Sequence, residues 1–214
     1  MSLDLILALL GAYLLGGIPF GFLAVWIALK KDVRHIGSGN IGATNVSRCF
    51  SKKWRLTVFL LIWLFDMGKG FLPTWYGLQG GLGSLGVYET GSLMGLAAVA
   101  GHVFSPFLGF KGGKGVSTVC GVLLALDWQV FLIALGTFFV VVGITRVVAL
   151  GSMSLGIALA LSVVLLQPDT AFGERLPLTL LCFFLALFLV WTHRENIRGL
   201  LRLRRQRQQQ EKNP

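Results

Sequence analysis

Charge is what this sequence has least of. Only 13% of its 214 residues are Asp, Glu, Lys or Arg, and just nine are acidic. An ordinary soluble domain carries about a quarter charged residues, so this chain cannot solvate the surface of a globular protein of its size. Several familiar chemistries are missing too. No His is followed five positions on by Asp, no serine sits in a G-x-S-x-G elbow, and no H-E-x-x-H zinc motif occurs. The three cysteines, Cys49, Cys120 and Cys182, are odd in number and lack metal or redox spacing, which leaves them as polarisable core filler. The start, "MSLDL", has no basic region of the kind a signal peptide needs.

What abounds is apolar sequence, 55% of the chain. Several runs approach or exceed the ~20 residues that cross a bilayer as a helix. Lipid offers open backbone groups no partner, so the spans are helical. The expected fold is an all-α membrane protein. A single polytopic domain covers residues 1–200, and a basic, disordered tail covers 201–214. Spans are expected near 3–29, 56–78, 92–110, 147–166 and 178–192, with 116–145 either one long helix or two broken near Asp127 and Trp128.

Net charge is +10, and it is concentrated in the loop from Lys30 to Arg55 and in the tail. That distribution points to anionic head groups of membrane lipids and away from nucleic acid. Both basic segments belong on the cytoplasmic side, so an odd number of spans must separate them from an outside N-terminus. Splitting 116–145 satisfies this with about seven transmembrane helices, some short, and a cytoplasmic C-terminus.

Polar residues gather in a few short stretches on that same side. "GSGNIGATN", Gly37 to Asn45, opens as G-x-G-x-x-G, yet no strand precedes it and "LTVFLLIWLF" stands where a Rossmann acid should be. What remains is anion binding: Gly37, Gly39 and Gly42 allow close backbone approach, Ser38, Asn40, Thr44 and Asn45 are donors, and Arg48 grips phosphate bidentately. "GFKGGKGVST" is no Walker A, because Gly115 follows Lys114. Lys111, Gly112, Gly113, Lys114 and Gly115 nevertheless precede a helix start, a natural phosphate seat. The plainer reading is two lysines snorkelling to the interface. His193 and Asn196, three apart in "HRENI", share a helix face. Asp66 and Lys69 lie one turn apart at mid-span, either as an ion pair or as pocket lining, and His102 is likewise core or pocket. With no metal cluster, no cofactor motif and no strong base, an enzyme built this way works by orientation and anion stabilisation. An organophosphate transporter would use the same glycines and cations, but no inverted repeat is visible.

Taken in order, "GSGNIGATNVSR", "DMGKG", "GHVFSPFLGFKGGKGVST", "GSMSLG" and "HRENI" resemble the bacterial acyl-phosphate–glycerol-3-phosphate acyltransferases of the PlsY type, over nearly the whole chain. The resemblance implies transfer of a fatty acyl group from acyl-phosphate to the sn-1 hydroxyl of glycerol 3-phosphate. The products would be lysophosphatidic acid and phosphate, in the first step of bacterial phospholipid synthesis. It implies seven helices in the inner membrane, a cytoplasm-facing site, and the acyl-phosphate-forming enzyme as a partner. It places Ser38, Arg48, Lys114, Ser152, His193 and Asn196 around the phosphates and the reacting hydroxyl, with the donor's phosphate taking the proton. Ile41 stands where the family usually has Pro, and the acid that commonly follows the last motif is missing after Arg202.

Overall fold

The computed structural model describes residues 2–80 and 82–212, and among these every regular element is helical. In chain order they are α1 (Leu3–Gly17), α2 (Phe20–Leu29), α3 (Ala43–Arg48), α4 (Arg55–Leu78), α5 (Val87–Val103), α6 (Val116–Leu126), α7 (Trp128–Thr145), α8 (Val148–Leu165), α9 (Pro168–Ala171), α10 (Leu176–Thr192) and α11 (Arg194–Lys212). Among the described residues, five stretches are long and apolar enough to cross a bilayer: Leu3–Leu29, Arg55–Leu78, Val87–Leu108, Trp128–Thr145 and Val148–Leu165. The 11-residue α6 and the 17-residue α10 are apolar but shorter. Large side chains such as Leu7, Leu61, Phe65, Leu132, Leu161 and Leu187 are exposed on the outside of the bundle, as a lipid-facing surface requires.

The stretch 116–145 is broken at Asp127. Its backbone is extended there, and its carboxylate accepts from the N–H groups of Gln129 (2.9 Å) and Val130 (3.0 Å), capping α7. The Arg175 guanidinium donates to the other oxygen of Asp127 and ties this corner to the start of α10. An acidic residue inside an apolar run therefore marks a helix start.

The first span is broken too, between Gly17 and Phe20, where Pro19 cannot donate to a helix ladder. The freed carbonyls find side chains. Ser105 Oγ donates to Gly17 O at 2.6 Å, and Lys69 Nζ donates to Ile18 O at 2.8 Å. Lys69 also pairs with Asp66 at 2.9 Å, with both side chains buried. Of the two readings left open for this pair, the ion pair is present, and Lys69 in addition mends a broken helix in a medium without water.

Helices approach closely where glycine faces backbone. A Cβ on Gly121 would lie 1.9 Å from Met67 O, and one on Gly70 would lie 2.2 Å from Thr118 O, so α4 and α6 touch almost main chain to main chain. Without a strong hydrophobic drive between helices in lipid, such small-residue contacts supply the packing. One apolar core joins α5, α6, α7, α8 and α10 around Val119, Leu123, Leu155, Leu159, Leu178 and Leu185. A second joins α2, α3 and α4 around Val25, Val33, Ile41, Val46 and Ile62. Ile41, the residue standing in for the usual Pro, is buried in this second core.

Residues 201–212, expected in a disordered tail, are drawn as the continuation of a helix. Helix α11 runs from Arg194 to Lys212, because Arg, Leu, Gln and Lys are all good helix formers and only Gly199 interrupts them.

Candidate active site

The first polar loop is organised by one side chain. Asn45, in the first turn of α3, is buried, and its Oδ1 accepts from the Ser38 N–H at 3.1 Å. Its Nδ2 donates to Ile36 O and Asn40 O, both at 2.9 Å. The loop wraps this amide so tightly that a Cβ on Gly37 would sit 2.4 Å from Asn45 Oδ1, and Gly37 adopts a left-handed φ of 59°. The glycine pattern therefore serves a tight turn around Asn45, which holds Ser38 and Arg48 at the two ends of one compact unit. Arg48 ends α3 exposed, with no ion-pair partner among the described residues.

The second loop, Gly109 to Gly115, folds back on the end of α5. The N–H of Gly112 donates to Val103 O (2.9 Å), and that of Gly113 donates to His102 O (3.0 Å). A Cβ on Gly113 would meet the His102 ring at 2.1 Å. Only glycine lets the loop pass here, and the result presents Lys114, half-buried, to the first turn of α11. There Lys114 Nζ donates to Asn196 Oδ1. Burial pushes the Lys114 pKa below that of a free lysine. Gly115 caps α6 in a left-handed conformation, so the α6 N-terminus opens on the same space.

His193 closes α10 and is buried. Its Nδ1–H donates to Leu189 O at 2.8 Å, which leaves Nε2 as the nitrogen available to a ligand. Burial, aided by the Lys114 charge, holds its pKa down to about 4. Ser152 is buried on α8, with its hydroxyl donating to Val148 O at 3.0 Å.

These pieces enclose one cavity of about 430 Å³. Ser38, Arg48, Lys114, Ser152, His193 and Asn196 all line it, as do Asn40, Gly42, Thr44, Asn45 and Gly115. Its rim is polar and cationic, with Arg48 and Arg146 exposed. Its walls are apolar: Phe59, Leu60 and Trp63 from α4, and Leu135, Phe138 and Phe139 from α7. Buried Asp66 and His102 also line it. Such a site suits a molecule with an anionic head and a hydrocarbon tail.

The family described as glycerol-3-phosphate acyltransferase matches residues 6–203. The chain belongs to the glycerol-3-phosphate acyltransferase family. A "Glycerol-3-phosphate acyltransferase 1" of Deinococcus radiodurans is 42% identical over 205 residues, covering 94% of this chain and 93% of the relative. A glycerol-3-phosphate acyltransferase of Paramagnetospirillum magneticum is 48% identical over 160 residues, covering 75% of this chain and 74% of the relative. The crystal structure of PlsY, an integral membrane glycerol 3-phosphate acyltransferase, in its glycerol 3-phosphate form aligns with a TM-score of 0.81 at 33% identity, over 94% of both chains. Its lysophosphatidic acid form aligns with a TM-score of 0.78 at 33% identity, over 94% of this chain and 93% of that one.

Within this family frame, several expected phosphate ligands take other places. Gly37, Gly39, Lys111, Gly112 and Gly113 do not line the cavity. The N–H groups of Gly112 and Gly113 are occupied by carbonyls, so those two glycines shape the loop and do not offer donors. Asn45 lines the cavity, but its amide is fully committed to the loop. Lys111 is exposed, so the snorkelling reading stays open for that lysine alone. Ser117, in the first turn of α6, lines the cavity without having been expected. Its place at the start of a helix after a glycine run is the signal that could have found it. Arg146, outside the expected set, also lines the rim, in a left-handed conformation (φ 60°) between α7 and α8.

Proposed function

We propose that this protein transfers a fatty acyl group from acyl-phosphate to the sn-1 hydroxyl of glycerol 3-phosphate, releasing lysophosphatidic acid and phosphate. The observation that carries the reading is the convergence of cationic, buried polar and apolar side chains on one cavity. Arg48 and Lys114, with the α6 N-terminus, hold the phosphates by charge-assisted hydrogen bonds. The α4 and α7 aromatic walls take the acyl chain, each buried methylene contributing about 0.8 kcal/mol. Ser152, His193 and Asn196 orient the glycerol hydroxyl toward the acyl carbonyl. No strong protein base is required, because the phosphate oxygens of the donor take the proton. The step is the first of bacterial phospholipid synthesis, in the inner membrane, next to the enzyme that forms the acyl-phosphate.

Donor choice is tested with purified protein, radiolabelled glycerol 3-phosphate, and acyl-phosphate or acyl-CoA offered separately. Labelled lysophosphatidic acid is expected with acyl-phosphate alone. Equal product from acyl-CoA would overturn the donor assignment.

The site faces the cytoplasm, with the N-terminus outside and the C-terminus inside, and the shorter α6 and α10 bring the five long stretches to seven spans. In a cysteine-free background, single cysteines at positions 40 and 112 are expected to resist an impermeant thiol reagent added outside. External labelling at either position would sink this topology.

A further inference from the structure

Two buried atoms at the cavity have no partner. Asp66 on α4 gives one carboxylate oxygen to Lys69 (2.9 Å), while its Oδ2 is buried without a hydrogen bond. His102 on α5 stands beside it, with Nδ1 3.8 Å from Asp66 Oδ1 and likewise buried without a hydrogen bond. Both residues are almost completely buried, and both line the cavity. Native proteins rarely leave such atoms unmatched without a reason.

The chemistry of the pair narrows what fits. A carboxylate oxygen only accepts, whereas a histidine Nδ1–H donates. A hydroxyl satisfies both at once, with one donor and one acceptor on a single oxygen. An anion is repelled by Asp66, and a further cation is disfavoured because Lys69 already balances that charge. The phosphate-type groups, Arg48, Lys114 and the α6 N-terminus, line the same cavity as this pair. A hydroxyl seated on atoms this deeply buried is also shut away from a second reactant, so it is not the one that is acylated.

We propose that Asp66 and His102 bind the sn-2 hydroxyl of glycerol 3-phosphate and make the site selective for glycerol phosphate over a simple alcohol phosphate. The secondary hydroxyl donates to Asp66 Oδ2 and accepts from His102 Nδ1–H. Lys69, tied to the Ile18 carbonyl, fixes the carboxylate from behind. Gly113, with room only for the His102 ring, sets that ring next to the loop carrying Lys114. Phosphate binding and hydroxyl binding thus share one support. The assignment rests on the acyl-transfer reading above.

The test compares glycerol 3-phosphate with 3-hydroxypropyl phosphate, which keeps the phosphate and the primary hydroxyl and lacks the middle one. A site that hydrogen-bonds a substrate hydroxyl rejects the analogue without it, so the unaltered protein is expected to prefer glycerol 3-phosphate in kcat/KM by on the order of a hundredfold or more. Asp66→Asn and His102→Phe are each expected to bring that ratio to within about tenfold, mostly through a loss on glycerol 3-phosphate. A general structural defect would lower both substrates together and leave the ratio unchanged. A ratio preserved in both variants overturns the proposal. If neither variant folds, the unaltered protein still decides: equal kcat/KM for the two acceptors overturns the hydroxyl assignment and leaves acyl transfer standing. Transfer to neither acceptor overturns both readings.

Discussion

Arg48→Ala is expected to lower turnover by about ten- to over a hundredfold, the equivalent of losing one charge-assisted contact of roughly 1.5–3 kcal/mol. Folded yield should change far less. The side chain is exposed at the rim and has no ion-pair partner among the described residues, so its removal leaves no buried group stranded. Arg48→Lys should rescue poorly, because an ammonium cannot reproduce a planar fork on phosphate. Lys114→Ala should cost at least as much, since it also frees Asn196 Oδ1 from its donor. Initial rates in detergent, set beside the yield of monodisperse protein, check both. Near-normal kinetics in Arg48→Ala would show that the first loop is only structural.

The second large effect concerns His193. With its pKa held at about 4, the imidazole is neutral at physiological pH, Nδ1–H on Leu189 O and Nε2 free. A depressed histidine value means the unfolded chain, near the ordinary ~6.5, takes the proton first. Stability linked to this group is therefore whole above about pH 6.5 and falls as pH drops toward 4. Between about pH 6 and 9 the activity should show no rise from His193 titration. His193→Gln keeps a polar group for the substrate and should retain much more activity than His193→Ala. Equal loss in the two variants would restore a general-base role for this residue.

Much of this was legible in the chain. The split at Asp127 could be read from one acid in an apolar run together with the count of basic loops, and the six residues expected at the site do line one cavity. Other parts were hidden for physical reasons. The aromatic walls at Phe59, Trp63 and Phe138 look the same in sequence as side chains facing lipid, because both environments select apolar residues. Asp66 and His102 lie 36 positions apart on separate helices, and nothing in either segment says that they meet. Asn45 reads as a donor beside glycines, whereas its three hydrogen bonds all turn inward. Spacing shows which groups are near one another in the chain; it does not show which are already satisfied.

The bond from Lys114 to Asn196 joins residues 82 apart in the chain. Ser38 and Arg48 precede α4 in the chain, while His193 and Asn196 follow the apolar α10. The phosphate loops and the greasy walls all precede α11, whereas Asn196, which completes the pocket lining, lies within it. The cavity is closed only where this late segment meets the early loops, so its two ends are held together by the fold and not by the chain.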